Sequence, residues 1–132
     1  MFFKRQKIKG KWYPRSFTIG KYDTNDVAKR LSEMCTVTKA DTVAVLTALG
    51  EVLGSMLETG SSVKLDGLGT FYLTGKCLGQ GADTPEEVSS KQFGKVSVRF
   101  IPEYQRMGNN RVAHRTIVPN HVEWIEMGGN IK

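Results

Sequence analysis

Nine residues, Val63-Lys64-Leu65-Asp66-Gly67-Leu68-Gly69-Thr70-Phe71, constrain this chain more than any other stretch. They follow Gly60, which closes an apolar-periodic segment opening at Thr38. The order predicted is a long helix, a glycine stop, a short strand, a tight turn and a second strand. Asp66-Gly67, held between Leu65 and Leu68, suits the turn because glycine adopts positive φ without a Cβ clash. Gly69 suits a close backbone approach, and Thr70-Phe71-Tyr72-Leu73 is rich in side chains that favour a strand.

Two helices are expected before this hairpin. Asp23 or Thr24 can cap the first, with Asp26 near its positive end. Val27, Leu31 and Met34 then form one apolar stripe ending near Cys35. Thr38 with Asp41 three residues on is a variant of the capping box, and the second helix should run to about Thr59. Val45, Leu49, Val52, Leu53, Met56 and Leu57 make its apolar surface too broad for the short first helix to cover. A second copy of the chain is the expected cover, and the chain's own sheet is the alternative. Beyond Phe71 the chain should run out along Tyr72-Leu73 and return through Val96-Ser97-Val98-Arg99-Phe100. The intervening tip, Gly75 to Gly94, has few large apolar residues and cannot build its own core.

Gly67-Leu68-Gly69-Thr70-Phe71, set between a glycine-terminated helix and a β-ribbon, resembles the signature of the HU/IHF family of bacterial histone-like DNA-binding proteins. Phe100-Ile101-Pro102 resembles the ending that follows the family's returning arm. The resemblance covers about residues 24–105 and thins at Glu103-Tyr104-Gln105-Arg106, where the family has a short final helix. It implies an α+β fold: an HU/IHF-like intertwined dimer with a helical base, a β-sheet and a β-ribbon arm. Segments 1–23 and 106–132 would add strands at both ends of a single domain spanning 1–132. The function implied is non-enzymatic: an architectural protein of weak sequence selectivity that binds and bends or compacts duplex DNA in the cytoplasmic nucleoid.

In such arms, basic residues hold phosphates and an apolar wedge, usually proline, opens a base step. Alignment on Gly69-Thr70-Phe71 puts Thr74, Lys76, Gly79 and Ala82 where relatives carry arginines, so only Lys76 keeps the charge. Lys91, Lys95 and Arg99 restore some of it on the returning side. Asp83-Thr84-Pro85 is the nearest match to the family's tip. Pro85 is therefore either the wedge or an ordinary turn residue, and Glu86 and Glu87, which follow it, would repel phosphate.

The positive charge lies elsewhere. Residues 1–22 hold seven basic side chains and no acid, whereas the rest of the chain has 12 basic and 13 acidic residues. Lys7, Lys9 and Lys11 alternate with Ile8 and Gly10, so in a strand they would share one face. Arg15 and the rings of Trp12, Tyr13 and Phe17 are close in sequence. Such a row is either a phosphate-binding surface or an edge strand guarded by lysines. Lys7-Ile8-Lys9 and Ser16-Phe17-Thr18-Ile19 are the strand candidates here. Residues 111–118 and 121–125 are those of the C-terminal segment, pairing with them or extending the sheet. The acidic tip and a net charge of −2 over residues 24–105 (8 basic, 10 acidic) keep open a dimeric scaffold of the same fold that binds another protein.

Other chemistries find little support. Cys35 and Cys77 lack metal-ligand spacing and are expected as reduced, packed thiols. His114 and His121 belong to surface strands, and no metal site is expected. Gly67-Leu68-Gly69 lacks the lysine and following helix of a phosphate loop, Asp66 shapes a turn, and no nucleophile–base pair stands out. No catalysis, cofactor or small-molecule substrate is expected. Met1-Phe2-Phe3 is followed at once by Lys4 and Arg5, with no signal-peptide core, and no apolar run approaches transmembrane length. A cytoplasmic protein without a membrane partner is the expectation.

Overall fold

The computed structural model describes residues 1–109 and 111–131. They group into two compact units, Met1–Leu46 with Pro119–Lys132 and Thr47–Val118, and the boundary falls inside the second helix. Among the described residues the architecture is α+β, with two helices and three small sheets.

In the first unit, β1 (Phe2–Ile8) and β2 (Lys11–Phe17) form an antiparallel hairpin, and β8 (Ile125–Ile131) runs parallel to β1 on its other side. The hairpin turn is Lys9-Gly10, with φ of 48° and 80°. Both positive values match the right-handed twist of the flanking strands, as a two-residue primed turn requires. This corrects the expected Lys7–Lys9 strand: Lys9 is the corner, so Lys7, Lys9 and Lys11 do not share a strand face. The second strand starts earlier than Ser16 and stops at Phe17, and Pro14 is tolerated because β2 is an edge. The terminal segments do pair, but β8 begins at Ile125 and not within His121–Trp124. A register shift between Phe3 and Arg5 takes up extra β8 residues around Gly128-Gly129, where Gly129 has φ 97°.

Helix α1 (Thr24–Met34) is capped by Asp23. Its carboxylate accepts from the Asp26 amide at 3.0 Å, and Asp26 returns the contact to the Asp23 amide at 2.9 Å. The bond from the Asp26 amide lowers the Asp23 pKa. Of the Val27-Leu31-Met34 stripe, Leu31 is half-buried and Val27 and Met34 are exposed, while Ala28 beside it is buried. Cys35 and Cys77 are both free and exposed rather than packed.

Helix α2 (Lys39–Glu58) crosses the boundary between the units. Thr38 Oγ1 accepts from the Asp41 amide at 3.1 Å and donates to its carboxylate at 2.7 Å, the expected start. The helix ends at Gly60, whose φ of 85° and bond to the Leu57 carbonyl at 3.0 Å make a left-handed cap. Leu57 is buried, whereas Val45 is 65% exposed, and Val52 and Met56 are also exposed. Contrary to expectation, α2 is long and apolar enough to cross a membrane by length and composition. Thr47, Gly50, Glu51, Gly54 and Ser55 break up any continuous apolar run, which is why the sequence concealed this.

The second unit contains the signature hairpin. β3 (Val63–Leu65) turns through Asp66-Gly67-Leu68 into β4 (Gly69–Cys77), with Gly67 at φ 80° and Leu68 N–H bonded to the Leu65 carbonyl at 3.1 Å. At Gly69 any Cβ would collide with the Ile101 carbonyl oxygen and the Phe100 ring, so the backbones approach as expected. β4 pairs antiparallel with β5 (Phe93–Pro102), and both strands reach farther than the sequence suggested. Two 3-10 turns, Pro85–Glu87 and Ser90–Gln92, order part of the remaining tip, and Leu78 N–H bonds to the Gln92 carbonyl at 2.8 Å. The Phe93 ring lies over Gly75 and the Leu78 side chain over Gly94, so the glycines there are covered by neighbouring side chains.

After β5 the chain forms β6 (Tyr104–Arg106) and β7 (Val112–Arg115), an antiparallel pair where the family resemblance implied a helix. Glu103 fastens this segment to the signature turn. Its carboxylate accepts from Gly67 N–H at 3.0 Å and from the Thr116 hydroxyl at 2.8 Å. Its own N–H bonds to the Leu68 carbonyl, and its carbonyl accepts from the Thr116 amide. The Gly67 amide, then the Thr116 hydroxyl, holds the Glu103 pKa below its ordinary 4.5. A lowered carboxylate pKa contributes stability above the unfolded value, and the contribution is lost as pH falls through the folded one. The Gly67 amide NMR signal should therefore titrate below pH 4.5, and that titration should vanish in Glu103→Gln. A Gly67 signal that titrates at or above the ordinary value in the wild type would refute the latch.

Candidate nucleic-acid interface

The β4–β5 register sorts the arm's side chains by parity. Thr70, Tyr72, Thr74 and Lys76 stand opposite Ile101, Arg99, Ser97 and Lys95, and all point to one side. Lys64, opposite Thr70 on β3, extends the same side. From Thr70 to Lys76 the face runs about 20 Å at 3.4 Å per residue, with cations along it and hydroxyls between them. Lys64, Thr70, Ile101, Pro102, Glu103, Tyr104 and Gln105 line a polar cleft of about 380 Å³ at its foot.

The other side is apolar. Phe71, Leu73 and Gly75 face Phe100, Val98 and Val96, and the bulge between Lys76 and Cys77 returns Phe93 to this side. The Phe71 and Phe100 rings pack at 4.8 Å between centroids. Leu73, Phe93, Val96 and Val98 remain exposed.

Lys76 and Lys95 are direct cross-strand partners. Two ammonium groups placed opposite one another destabilise a ladder unless an anion lies between them. Both are exposed, so water and salt screen the repulsion.

The hairpin of the first unit also has two faces. On one, Lys4 stands opposite Arg15 and Ile8 opposite Lys11, with Tyr13 beside Gln6. Arg15 donates to the Gln6 side-chain oxygen at 3.3 Å, and Lys4 lies 5.3 Å from the centroid of the Phe17 ring. On the other, Lys7 lies 5.9 Å from the centroid of Trp12, and Arg5 pairs with Glu126 at 2.6 Å.

Of the residues singled out from sequence, Lys76, Lys95 and Arg99 come together on one arm face, and Lys91 lies apart in a 3-10 turn at the tip. Lys11 and Arg15 share a hairpin face, Lys7 takes the opposite one, and Lys9 sits at the corner. Pro85 opens the Pro85–Glu87 turn and is exposed. His121 is exposed and outside any strand, and the His114 side chain lies outside the described residues. Sequence reasoning missed Lys64, Tyr72, Thr74, Ser97 and Lys4. Parity counted from Gly69-Thr70 would have found Tyr72 and Thr74, but the registers that place Lys64, Ser97 and Lys4 come only from strand pairing.

A long helix stopped by glycine, a glycine-turned hairpin and its extension into a two-faced ribbon define an HU-type α+β protein. The chain belongs to the HU-HIG family, HU domains fused to a wHTH, Ig or glycine-rich motif, whose model matches residues 2–115. The match takes in the N-terminal hairpin, which the signature motif alone left outside. Among solved structures the chain is similar to a candidate bacterial DNA-binding protein from Bacteroides vulgatus ATCC 8482. Identity is 15% and the TM-score 0.50, over 76% of this chain and 41% of that one, so the likeness is one of fold and spans under half of the neighbour. No curated protein matches.

Lys95→Glu converts the like-charged Lys76–Lys95 pair into an ion pair. It should stabilise the protein by about 0.2–1 kcal/mol at low salt, measured by urea unfolding, with the gain shrinking in high salt. A loss of stability at low salt would show that the two ammonium groups do not face each other.

Proposed function

We propose that this chain is a non-enzymatic architectural protein that binds duplex DNA with weak sequence selectivity and bends or compacts it, acting as a homodimer in the cytoplasmic nucleoid. Family membership supports DNA as the partner, as does the name of the Bacteroides neighbour. The observation that carries the reading is the arm's polar face, where Lys64, Lys76, Lys95 and Arg99 alternate with Thr70, Thr74 and Ser97. Cations and hydroxyls in that mixture suit phosphate oxygens and carry no base-reading pattern. Lys9, Lys11 and Arg15 add backbone contacts from the hairpin and Lys91 from the tip, whereas Lys7 faces the other way. Pro85 has Glu86 and Glu87 beside it in the same 3-10 turn, which favours a turn role over a wedge and a shallow bend over a sharp one.

Substituting Lys76, Lys95 and Arg99 together by Ala should weaken binding to a random duplex. The slope of log affinity against log salt should flatten by roughly one unit per lost phosphate contact. Fluorescence anisotropy across a salt series is the measurement. Unchanged affinity and slope would remove the arm from the interface.

The dimer is supported by α2. Among the described residues the buried apolar side chains are Ala28 and Leu57, a core too small to hold a chain of this length. Val45, Val52 and Met56 stand ready to be covered. Val45→Glu would cost a monomer little, since the side chain is already in water, but should dissociate a dimer built on this face. Sedimentation at micromolar concentration should give a dimer for the wild type and a monomer for Val45→Glu; a wild-type monomer would overturn the assignment.

A second reading, a dimeric HU-fold scaffold for another protein, is favoured by the exposed apolar side of the arm and by Asp83, Glu86 and Glu87 at its tip. It would leave duplex binding absent at any salt concentration.

A further inference from the structure

The N-terminal sheet has a second face that duplex binding does not use. Phe3, Arg5 and Lys7 on β1 stand opposite Ser16, Pro14 and Trp12 on β2, and alternation puts these six on one side. Trp124, which precedes β8, joins them: with Phe3, Pro14 and Ser16 it lines an apolar concavity of about 310 Å³. Ile125 N–H bonds to the Met1 carbonyl at 3.0 Å and anchors the neighbouring indole against β1. Trp12 is 51% and Trp124 54% exposed. From Trp12 to Ser16 the strand covers about 14 Å at about 3.4 Å per residue, so the two indoles flank a short track. Along it lie Arg5, held by Glu126, and Lys7, whose ammonium sits over one face of the Trp12 ring and leaves the other for stacking. The hairpin contributes no acid of its own.

The chemistry of this face selects its occupant. An acidic peptide would use the cations and leave the indoles wet. An apolar peptide would use the concavity and leave Lys7 without an anion. Stacked bases inside a duplex have their flat faces covered by their neighbours. An unpaired strand presents both a series of flat aromatic faces and a phosphate backbone, the pairing that exposed indoles among cations accommodate.

We propose that this face binds extended single-stranded nucleic acid. One base stacks in the concavity of Phe3, Pro14 and Trp124, a second stacks on Trp12, and the intervening phosphates pass Lys7. The site lies on the terminal sheet and does not depend on duplex binding by the arm, so either can fail without the other.

The test uses the full chain with fluorescently labelled oligo(dT) and oligo(U) of about 20 nucleotides, beside a random duplex of equal length. Both single strands should quench the intrinsic tryptophan fluorescence on binding, and comparing them separates DNA from RNA as the natural strand. Trp12→Ala and Trp124→Ala should each weaken single-strand binding by about tenfold, as loss of one stacked base does, and leave duplex affinity unchanged. Trp12→Phe and Trp124→Phe should retain most of the affinity. Trp12 lies outside the concavity, so Trp12→Ala alone decides the matter if Trp124→Ala does not fold. Absence of quenching, unchanged oligo(dT) affinity in Trp12→Ala, or an equal loss of duplex binding would overturn the proposal.

Discussion

The close approach at Gly69 is the constraint on which the second unit depends. With no Cβ, this residue lies against the Ile101 carbonyl oxygen and the Phe100 ring, at the point where β3, β4 and β5 meet. Gly67 makes the preceding turn and donates to Glu103, which also holds Thr116. One end of the ladder is thereby pinned. Because side chains alternate strictly along a strand, pinning one pair sets the side on which every later residue emerges. A slip of one residue would exchange the cationic and apolar sides of the arm.

That sorting gives the arm its two characters. Lys76 opposite Lys95 and Arg99 opposite Tyr72 fall on one side, whereas Phe71, Leu73, Phe93, Val96 and Val98 fall on the other. The first arrangement is unfavourable for the free chain and relieved by bound anions; the second is unfavourable in water and relieved by an apolar partner. On helix α2, Val45, Val52 and Met56 likewise stand in water.

The terminal strands pose a different problem. Seven cations without an acid among residues 1–22 read as a single charged row in the sequence, yet the chain turns in the middle of that row. The Lys9-Gly10 corner distributes Lys4, Lys11 and Arg15 to one face and Arg5 and Lys7 to the other. Glu126 arrives from the far end of the chain to neutralise Arg5. What looked like a single electrostatic patch is a two-faced sheet, with the exposed Trp12 on its second face.

Local chemistry determined the helix limits, the glycine stop, the signature turn and the α+β class. Each depends on neighbours within four residues: the Asp23 and Thr38 caps, the positive φ at Gly60 and Gly67, the run of β-favouring residues after Gly69. Those features are legible because steric and hydrogen-bonding preferences at that range survive in almost any context. The position of Lys9 was missed because Lys9-Gly10 sits in a sequence that also alternates like a strand, and only pairing of Lys7 with Trp12 decides between corner and continuation. Exposure of Cys35, Cys77 and Met34 was missed because apolar side chains were assigned a core that the single chain does not build. The grouping of Lys64, Ser97 and Arg99, the approach of Trp124 to Phe3 and the Glu103 latch all join residues distant in the chain. Tertiary structure alone decides such contacts, since they depend on register and on which strand ends meet, and neither leaves a mark on the residues one at a time.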